Sequence, residues 1–450
     1  MGQSKSTLKI IRNEWDESKI IKYIGDNYQS IDWDVRDSQD NSILGVIIKK
    51  NMELLALQLV NKYEKNCKIN HVNKNGDSIL MLAVKYKMEN LALTIMNQKL
   101  YNPGQINNHG NTALILAIDR KLEEVALKLI HLFGNKCIPG QIYVDGNTAL
   151  IIAIQRKMKN IVSELIDGFA EDCQLGIKDK DGNTILMLLI MNDMDDIAIK
   201  LIDTYGELLE PDHKNNKNET ALIWSMNKSF EELSNKLIDT FGKTCIPDHS
   251  CEVTELHLAI DSDMEDVAIK LVNNFGKLCK PQFVDADGDN VLIFAINSNM
   301  VDLAILLIDR FGKLCRPFQV NKKGETALIA SINQKMDGVA IKLIETYGNL
   351  CKPGHINKGE SALTLSINNE MEKVTNLLIE KFGELLDGSN QNNLELDEES
   401  RLCVVCWDNK LNMFFGCGHV CTCGPCSNKV TLCPICRKNI DYRHKVFLPY

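Results

Sequence analysis

Gly110-Asn111-Thr112-Ala113-Leu114-Ile115-Leu116-Ala117-Ile118 returns almost unchanged as Gly146-Asn147-Thr148-Ala149-Leu150-Ile151-Ile152-Ala153-Ile154. It returns again from Gly182, Gly288 and Gly324, and in weaker form from Gly76 and Gly359. Aligned on Ala117, the chain places Ile47, Ala83, Ala153, Leu189, Ser225, Ala259, Ala295, Ser331 and Ser366 in register, at intervals of 34 to 36 residues. Chance does not hold one phase through ten units, so a repeat architecture governs the fold.

Each unit reads as a pair of helices. Thr112, Thr148, Thr184, Thr220, Thr254 and Thr326 supply hydroxyls at the N-cap of a short apolar helix, where each can accept from a free backbone N–H. A polar break such as Gln155-Arg156-Lys157 follows. Glu123-Glu124, Asp195-Asp196 and Glu265-Asp266 then open a second helix at the positive end of its dipole. Val125, Ala126, Leu129 and Ile130 form its inner stripe at helical spacing. Phe133-Gly134, Phe275-Gly276 and Phe311-Gly312 close it, the glycine being expected in the left-handed C-cap conformation. Pro139, Pro247, Pro281, Pro317 and Pro353 then bar continuation. Neither helix can bury its apolar face alone, so the units must stack.

This pattern resembles the ankyrin-repeat family over about residues 15–386, with Thr254-Glu255-Leu256-His257-Leu258-Ala259 nearest to the family's Thr-Pro-Leu-His-x-Ala. The period is near 36 rather than 33. The glycine expected after the first helix is Lys157, Asp193, Ser229 or Asn299 here, which leaves the loop geometry open. The resemblance implies a mainly α fold, an ankyrin-type helix-pair solenoid of about ten repeats that binds a protein substrate. Residues 1–14 read as a tail, and residues 15–40, with Ile20, Ile21, Tyr23 and Ile24, as a half-unit capping the array.

Cys67, Cys137, Cys173, Cys245, Cys279, Cys315 and Cys351 keep the repeat phase. Neighbours in that phase lie about 10 Å apart in a stacked helix array, too far for a disulfide, so they read as small buried residues. The breaks after the first helices are basic early, with Lys85, Lys87, Arg120, Lys121, Arg156 and Lys157, and turn acidic later, with Asp193, Asp261 and Asp263. That polarity marks a candidate partner surface. Asn218 and Glu252 stand where other units have the tip glycine, so the tips there are expected to differ in shape.

Composition changes past the array. Residues 387–400 are polar and acidic and read as a linker. Residues 401–450 carry a net charge of +5 against −9 for the whole chain, leaving the remainder at −14. Eight of the sixteen cysteines fall between Cys403 and Cys436. Their order is Cys403-x2-Cys406-x10-Cys417-x1-His419-x3-Cys423-x2-Cys426-x6-Cys433-x2-Cys436. Two thiolates from one tight turn can share a tetrahedral zinc, and four such pairs make two closed, structural Zn2+ sites. A fifty-residue module with so few core residues needs that metal to fold. The acidic total argues against a nucleic-acid binder. The first thirty residues mix charges throughout and no apolar run reaches membrane-spanning length, so the expected compartment is reducing and cytoplasmic.

The cysteine and histidine order resembles the RING finger family, variant C3HC4, with all eight ligand positions present. The resemblance implies that Cys403, Cys406, Cys423 and Cys426 hold one zinc, that Cys417, His419, Cys433 and Cys436 hold the other, and that Cys421 is spare. It further implies a RING-type E3 ubiquitin ligase that holds an E2 conjugating enzyme charged with ubiquitin while a substrate lysine attacks. Val405, Pro434 and Ile435 match the family's E2-contacting shelf, and Arg437 its linchpin bridging E2 and ubiquitin. The family's Trp between the sixth and seventh ligands is missing, with Val430 or Leu432 in its place, which leaves a non-catalytic scaffold as the alternative. The tail from Tyr442 to Tyr450 resembles those of inhibitor-of-apoptosis RINGs, which implies a RING homodimer with Phe447 reaching across it. Met1-Gly2-Gln3-Ser4-Lys5-Ser6 fits the N-myristoylation pattern at Gly2, and only an acylated Gly2 would bring the chain to a membrane. The long period resembles ankyrin arrays of large DNA viruses, for which the compartment would be the host cytoplasm.

Overall fold

The computed structural model describes residues 2–14, 16–98, 101–143, 146–245 and 254–383, and in the last segment 413–415, 420–422, 424–428, 430–431 and 443–445. The chain divides into two compact units, Met1–Trp224 and Ser225–Tyr450, the division falling inside the helix Ala221–Asn227. No described helix is long and apolar enough to cross a membrane.

Ten helix pairs follow one another among the described residues, from Ile43–Lys49 with Glu53–Lys62 to Ala362–Asn368 with Glu372–Gly383. Every first helix has seven residues, about two turns, too short to persist in water without packing. Packing surrounds it: Ala113 through Ile118 are all buried, as are Ile79 through Val84 and Ile185 through Ile190. Second helices are amphipathic instead, burying Val125, Ala126, Leu129 and Ile130 in one unit and Leu303, Ala304, Leu307 and Ile308 in another.

The expected caps are present. Thr112 Oγ1 accepts from the Ile115 N–H at 3.2 Å, Thr184 Oγ1 from Met187 at 3.3 Å and Thr326 Oγ1 from Ile329 at 3.3 Å. Ser42, Ser78, Asn290 and Ser361 fill the same role in units without threonine.

Each first helix ends in a Schellman turn. The Leu122 N–H reaches back to the Ala117 carbonyl at 2.9 Å and the Lys121 N–H to that of Ile118 at 3.0 Å. The residue in the left-handed conformation is Asn51, Lys87, Lys121, Lys157, Asp193, Ser229, Asp263, Asn299, Lys335 or Glu370, with φ between 55° and 61°. The loop geometry therefore survives the loss of the family's glycine. The next residue, an apolar one such as Met88, Met158, Met194, Met264 or Met300, is buried and plugs the gap between the two helices.

Two sequence expectations are corrected. Gly134, Gly242, Gly276 and Gly312 have positive φ but ψ between −124° and −130°, outside the left-handed helical region. The left-handed residue comes four positions later, after a 3-10 turn, and is Ile138, Lys280, Arg316 or Lys352. A second helix thus ends by tightening into a 3-10 turn before it stops. Asn218 takes φ of 64°, positive like the 76° to 91° of the tip glycines, because asparagine tolerates this region, so its tip keeps the common shape. Glu252 lies outside the described residues. At Gly76 a side chain is barred twice: φ is +78°, and a Cβ would stand 2.8 Å from the Asn107 Cα of the next tip.

Within the first unit, Gly2–Asn13 forms a helix that buries Thr7, Leu8 and Ile11, and Lys50 donates through Nζ to the Ile11 and Glu14 carbonyls near its end. Residues read from sequence as a tail thus pack, with Glu17–Asn27, as a capping pair.

Consecutive tips are joined by a buried amide ladder. Asn73 Nδ2 donates to Asn41 at 2.9 Å, Asn107 to Asp77 at 2.7 Å, Asn215 to Asn183 at 2.9 Å and, in the second unit, Asn321 to Asp289 at 2.7 Å. The same side chains hold their own tips, the Asn107 carbonyl accepting from the His109 and Asn111 N–H groups at 3.0 Å each. Tyr143 interrupts the ladder, and Asn147 Oδ1 is left buried without a partner. Where serine replaces the close-packing alanine of the first helix, a hydroxyl can replace its counterpart in the second: Ser225 bonds Ser234 at 2.8 Å and Ser366 bonds Thr375 at 2.9 Å.

Candidate zinc module and partner-binding surface

In the zinc-ligand region the described residues form a three-stranded antiparallel sheet, with Met413–Phe415 between Val420–Thr422 and Arg443–Lys445. Met413 faces Thr422, Phe414 faces Val420, and the register shifts between them. On the other edge Met413, Phe414 and Phe415 face Lys445, His444 and Arg443. Cys421 sits inside the strand Val420–Thr422, and the start of the apoptosis-inhibitor-like tail is the edge strand of this sheet. Gly424–Ser427 makes one helical turn that buries Cys426 and Ser427, and Cys426 is in no disulfide. Val430, one of the two residues read in place of the family's tryptophan, is half-buried, and Leu432, the other, lies outside the described residues.

Cys403, Cys406, Cys417, His419, Cys423, Cys433 and Cys436 lie outside the described residues, as do Val405, Pro434, Ile435, Arg437 and Phe447. Among the described residues no three ligand-type side chains gather. The fit to zinc rests on the donor set: seven thiols and one imidazole in closely spaced pairs, with Cys426 buried. Soft thiolate and imidazole donors in that number suit a closed tetrahedral zinc.

The seven repeat-phase thiols are buried and make no disulfide. Sγ of Cys67, Cys279 and Cys315 donates to the carbonyl eight residues earlier at 3.3 to 3.4 Å. Sγ of Cys137, Cys245 and Cys351 donates to a glycine carbonyl at 2.9 Å. Burial pushes the Cys67, Cys279 and Cys315 thiols up to about 12, which removes them from thiolate chemistry near neutrality. They are packing residues.

The charges along the polar breaks are partly paired, between repeats for Arg156 and Lys157 and within one repeat for Lys85. Arg156 meets Asp119 at 2.6 Å, Lys157 meets Asp193 at 2.9 Å and Lys85 meets Asp77 at 3.7 Å. Acid and base placed about one repeat apart, as at Arg156 and Lys157, meet on neighbouring helices, while Lys87, Lys121, Asp261 and Asp263 enter none of the ion pairs found among the described residues. Second helices add their own ladder, with Lys200–Asp167 at 2.6 Å, Lys270–Asp239 at 2.8 Å and Lys342–Asp309 at 2.6 Å. These pairs are exposed and individually worth about 0–1 kcal/mol. Sequence reasoning passed over them, although opposite charges recurring at the repeat interval carried the signal.

His257, in the helix Glu255–Asp261, is buried between Phe283 and Phe294, with ring centroids 4.8 and 5.7 Å away. Its Nδ1 lies 2.8 Å from Thr254 Oγ1, and Nε2 is buried without a partner. Burial lowers its pKa to about 4. A neutral imidazole in an aromatic slot serves the packing of this repeat.

Comparison with known proteins finds two family matches in the chain. The family model for ankyrin repeats in three copies matches residues 127–208, and that for the zinc finger of C3HC4 type (RING finger) matches residues 399–443. The E3 ubiquitin-protein ligase SP1 of Arabidopsis thaliana is 37% identical over 71 residues, 13% of this chain and 21% of that protein. The E3 ubiquitin-protein ligase cblA of Dictyostelium discoideum is 50% identical over 52 residues, 11% of this chain and 8% of that protein. The human Baculoviral IAP repeat-containing protein 8 is 38% identical over 52 residues, 11% of this chain and 22% of that protein. The chain thus spans only a fifth or less of most such relatives, and the ligases match over the RING region. A solved structure of a Bdellovibrio bacteriovorus predatory endopeptidase with its immunity protein covers 46% of this chain and 99% of that one at 21% identity, with a TM-score of 0.34, too low to carry an argument. RING fingers bind zinc, and the chain joins ankyrin repeats to a C3HC4-type RING finger at residues 399–443.

Proposed function

We propose that this chain is a RING-type E3 ubiquitin-protein ligase whose ankyrin array recruits a protein substrate. The observation that carries the reading is the C3HC4 RING finger at residues 399–443, a region in which named E3 ligases match the chain. Two structural zinc ions would hold it, one on Cys403, Cys406, Cys423 and Cys426 and one on Cys417, His419, Cys433 and Cys436. With no open coordination position they supply shape, not Lewis acidity.

The protein then acts by positioning. Val405, Pro434 and Ile435 would dock the E2, and Arg437 would bridge E2 and ubiquitin through several fixed guanidinium donors. A substrate lysine amine attacks the thioester carbonyl; the C–N isopeptide bond forms, the C–S bond breaks, and the E2 cysteine leaves as thiol on taking the proton. Holding the two reactants in line is where the rate gain arises. Phe447 would reach ubiquitin bound to the second RING of a homodimer. The compartment is reducing and cytoplasmic on this reading. Membrane contact would depend on acylation of Gly2.

Autoubiquitination with a panel of E2 enzymes tests the reading. Chains are expected with the native protein, with a loss of tenfold or more for Arg437→Ala and a clear loss for Phe447→Ala. Absence of product with every E2 would leave the scaffold, which the missing tryptophan before the seventh ligand favours.

A further inference from the structure

In the second unit, two neighbouring repeats close their second helices with near-identical segments, Gly276-Lys277-Leu278-Cys279-Lys280-Pro281 and Gly312-Lys313-Leu314-Cys315-Arg316-Pro317. The backbones match as well: a 3-10 turn over Gly276–Cys279 or Gly312–Cys315, then Lys280 or Arg316 at φ 47° and ψ 61°. Burial of Cys279, Cys315 and Pro317 turns the residues between them outward. The result is a surface groove of about 460 Å³ lined by Lys277, Gln282, Lys313, Leu314, Arg316 and Phe318. Its apolar walls, Leu314 and Phe318, are each 42% exposed. Its cations join none of the ion pairs of the second helices, which use Lys270 and Lys342.

The scaffold does not require this chemistry. At the repeat-equivalent positions Lys65 and Lys243 match Lys277 and Lys313, and Lys68 and Lys352 match Arg316, but other units place Glu171, Glu207 and Glu210 there, and Gly140, Gly176 and Gly354 stand for Phe318. Complementing a helix C-terminus does not demand these cations, because glutamates occupy the same sites in two units. What is local to this pair of repeats is the combination of Lys277, Lys313 and Arg316 with Phe318, which has no aromatic counterpart at its position in the other units.

We propose that this groove binds an acidic peptide segment carrying a large apolar side chain, presented by a partner protein. Leu314 and Phe318 would take the apolar side chain, and Lys277, Lys313 and Arg316 would face the flanking carboxylates, the arginine able to grip one in bidentate fashion. The inference deepens the role of the array in recruiting substrate and does not depend on ubiquitin transfer.

The test is fluorescence anisotropy with the full, zinc-loaded chain and a fluorescein-labelled Glu-Glu-Leu-Glu-Phe-Glu-Glu peptide, with no E1, E2 or ubiquitin present. Saturable binding is expected, weakened tenfold or more when the peptide's glutamates become glutamines or its Leu and Phe become serines. Lys313→Glu with Arg316→Glu, and separately Phe318→Ala, should each weaken binding as much while leaving the thermal melt in place, since all three side chains are exposed. The charge-reversed protein should instead take the Lys-for-Glu peptide. Equal affinity across these proteins and peptides would overturn the proposal, as would no saturation below millimolar peptide. Tighter binding of a labelled oligothymidylate of equal charge, with the same dependence on Arg316, would assign the groove to nucleic acid and refute it too. Autoubiquitination without peptide binding would fail this inference alone, and the converse would fail only the ligase reading.

Discussion

Lys121→Gly should stabilise this protein, although glycine beside a helix ordinarily destabilises. Lys121 is exposed, forms no ion pair among the described residues, and holds φ of 60° at the turn between the helices Ala113–Asp119 and Glu123–Phe133. An L-residue in the left-handed region costs about 1–2 kcal/mol through the contact of Cβ with the following carbonyl. Glycine removes that cost and returns about 0.5–1 kcal/mol as extra freedom of the unfolded chain. The net gain is about 0.5–1 kcal/mol per site. Lys87 and Lys335 occupy the same turn with φ of 59° and 56°. Sites one repeat or more apart add, so the triple glycine variant should gain about 2 kcal/mol. Urea unfolding followed by far-UV circular dichroism reads the gain as a later midpoint at unchanged slope for the single variants. Lys121→Val should move the midpoint the other way, because a β-branched residue tolerates positive φ least. A loss of about 1 kcal/mol for Lys121→Gly, as in a helix interior, would refute the turn assignment.

Thr148→Ala should cost about 1–2 kcal/mol, since the buried Ile151 N–H loses its partner, while Thr148→Ser should retain most of the stability; thermal melts of both decide. His257, depressed to about 4 when folded, contributes stability that is present above its unfolded value of 6.5 and lost as pH falls through 4. His257→Leu should therefore flatten the difference in stability between pH 7 and pH 4.5, and an unchanged difference would assign the acid sensitivity elsewhere. Chelation of zinc should abolish E2 discharge while the helical signal of the array keeps its midpoint, and metal analysis should return two zinc ions per chain.

The repeat at Ala117 made the helix pairs legible, because a seven-residue apolar segment between a threonine cap and a polar break can do little else. Thr112 and its counterparts announced the helix starts for the same local reason. What stayed hidden depended on neighbours one repeat away. Asn107 looks like a turn residue until Asp77 is seen beside it, and Arg156 looks like a free cation until Asp119 meets it. Gly134 misled because positive φ was expected to mean a left-handed helical cap, whereas the 3-10 turn shifts that cap to Ile138. The RING finger was readable from the spacing of its cysteines and histidine, since chelation constrains sequence more tightly than packing does. The strands Met413–Phe415 and Arg443–Lys445 were not, being three residues each and joined only through the fold of the module.

Single-turnover discharge of an E2 charged with ubiquitin onto free lysine tests the central claim most directly, because it needs neither substrate nor chain formation. The native chain is predicted to accelerate discharge at least tenfold with one or more E2 enzymes, and Arg437→Ala to return it near the rate of E2 alone. Discharge at the E2-alone rate with every E2, from protein shown to hold two zinc ions, would contradict the account.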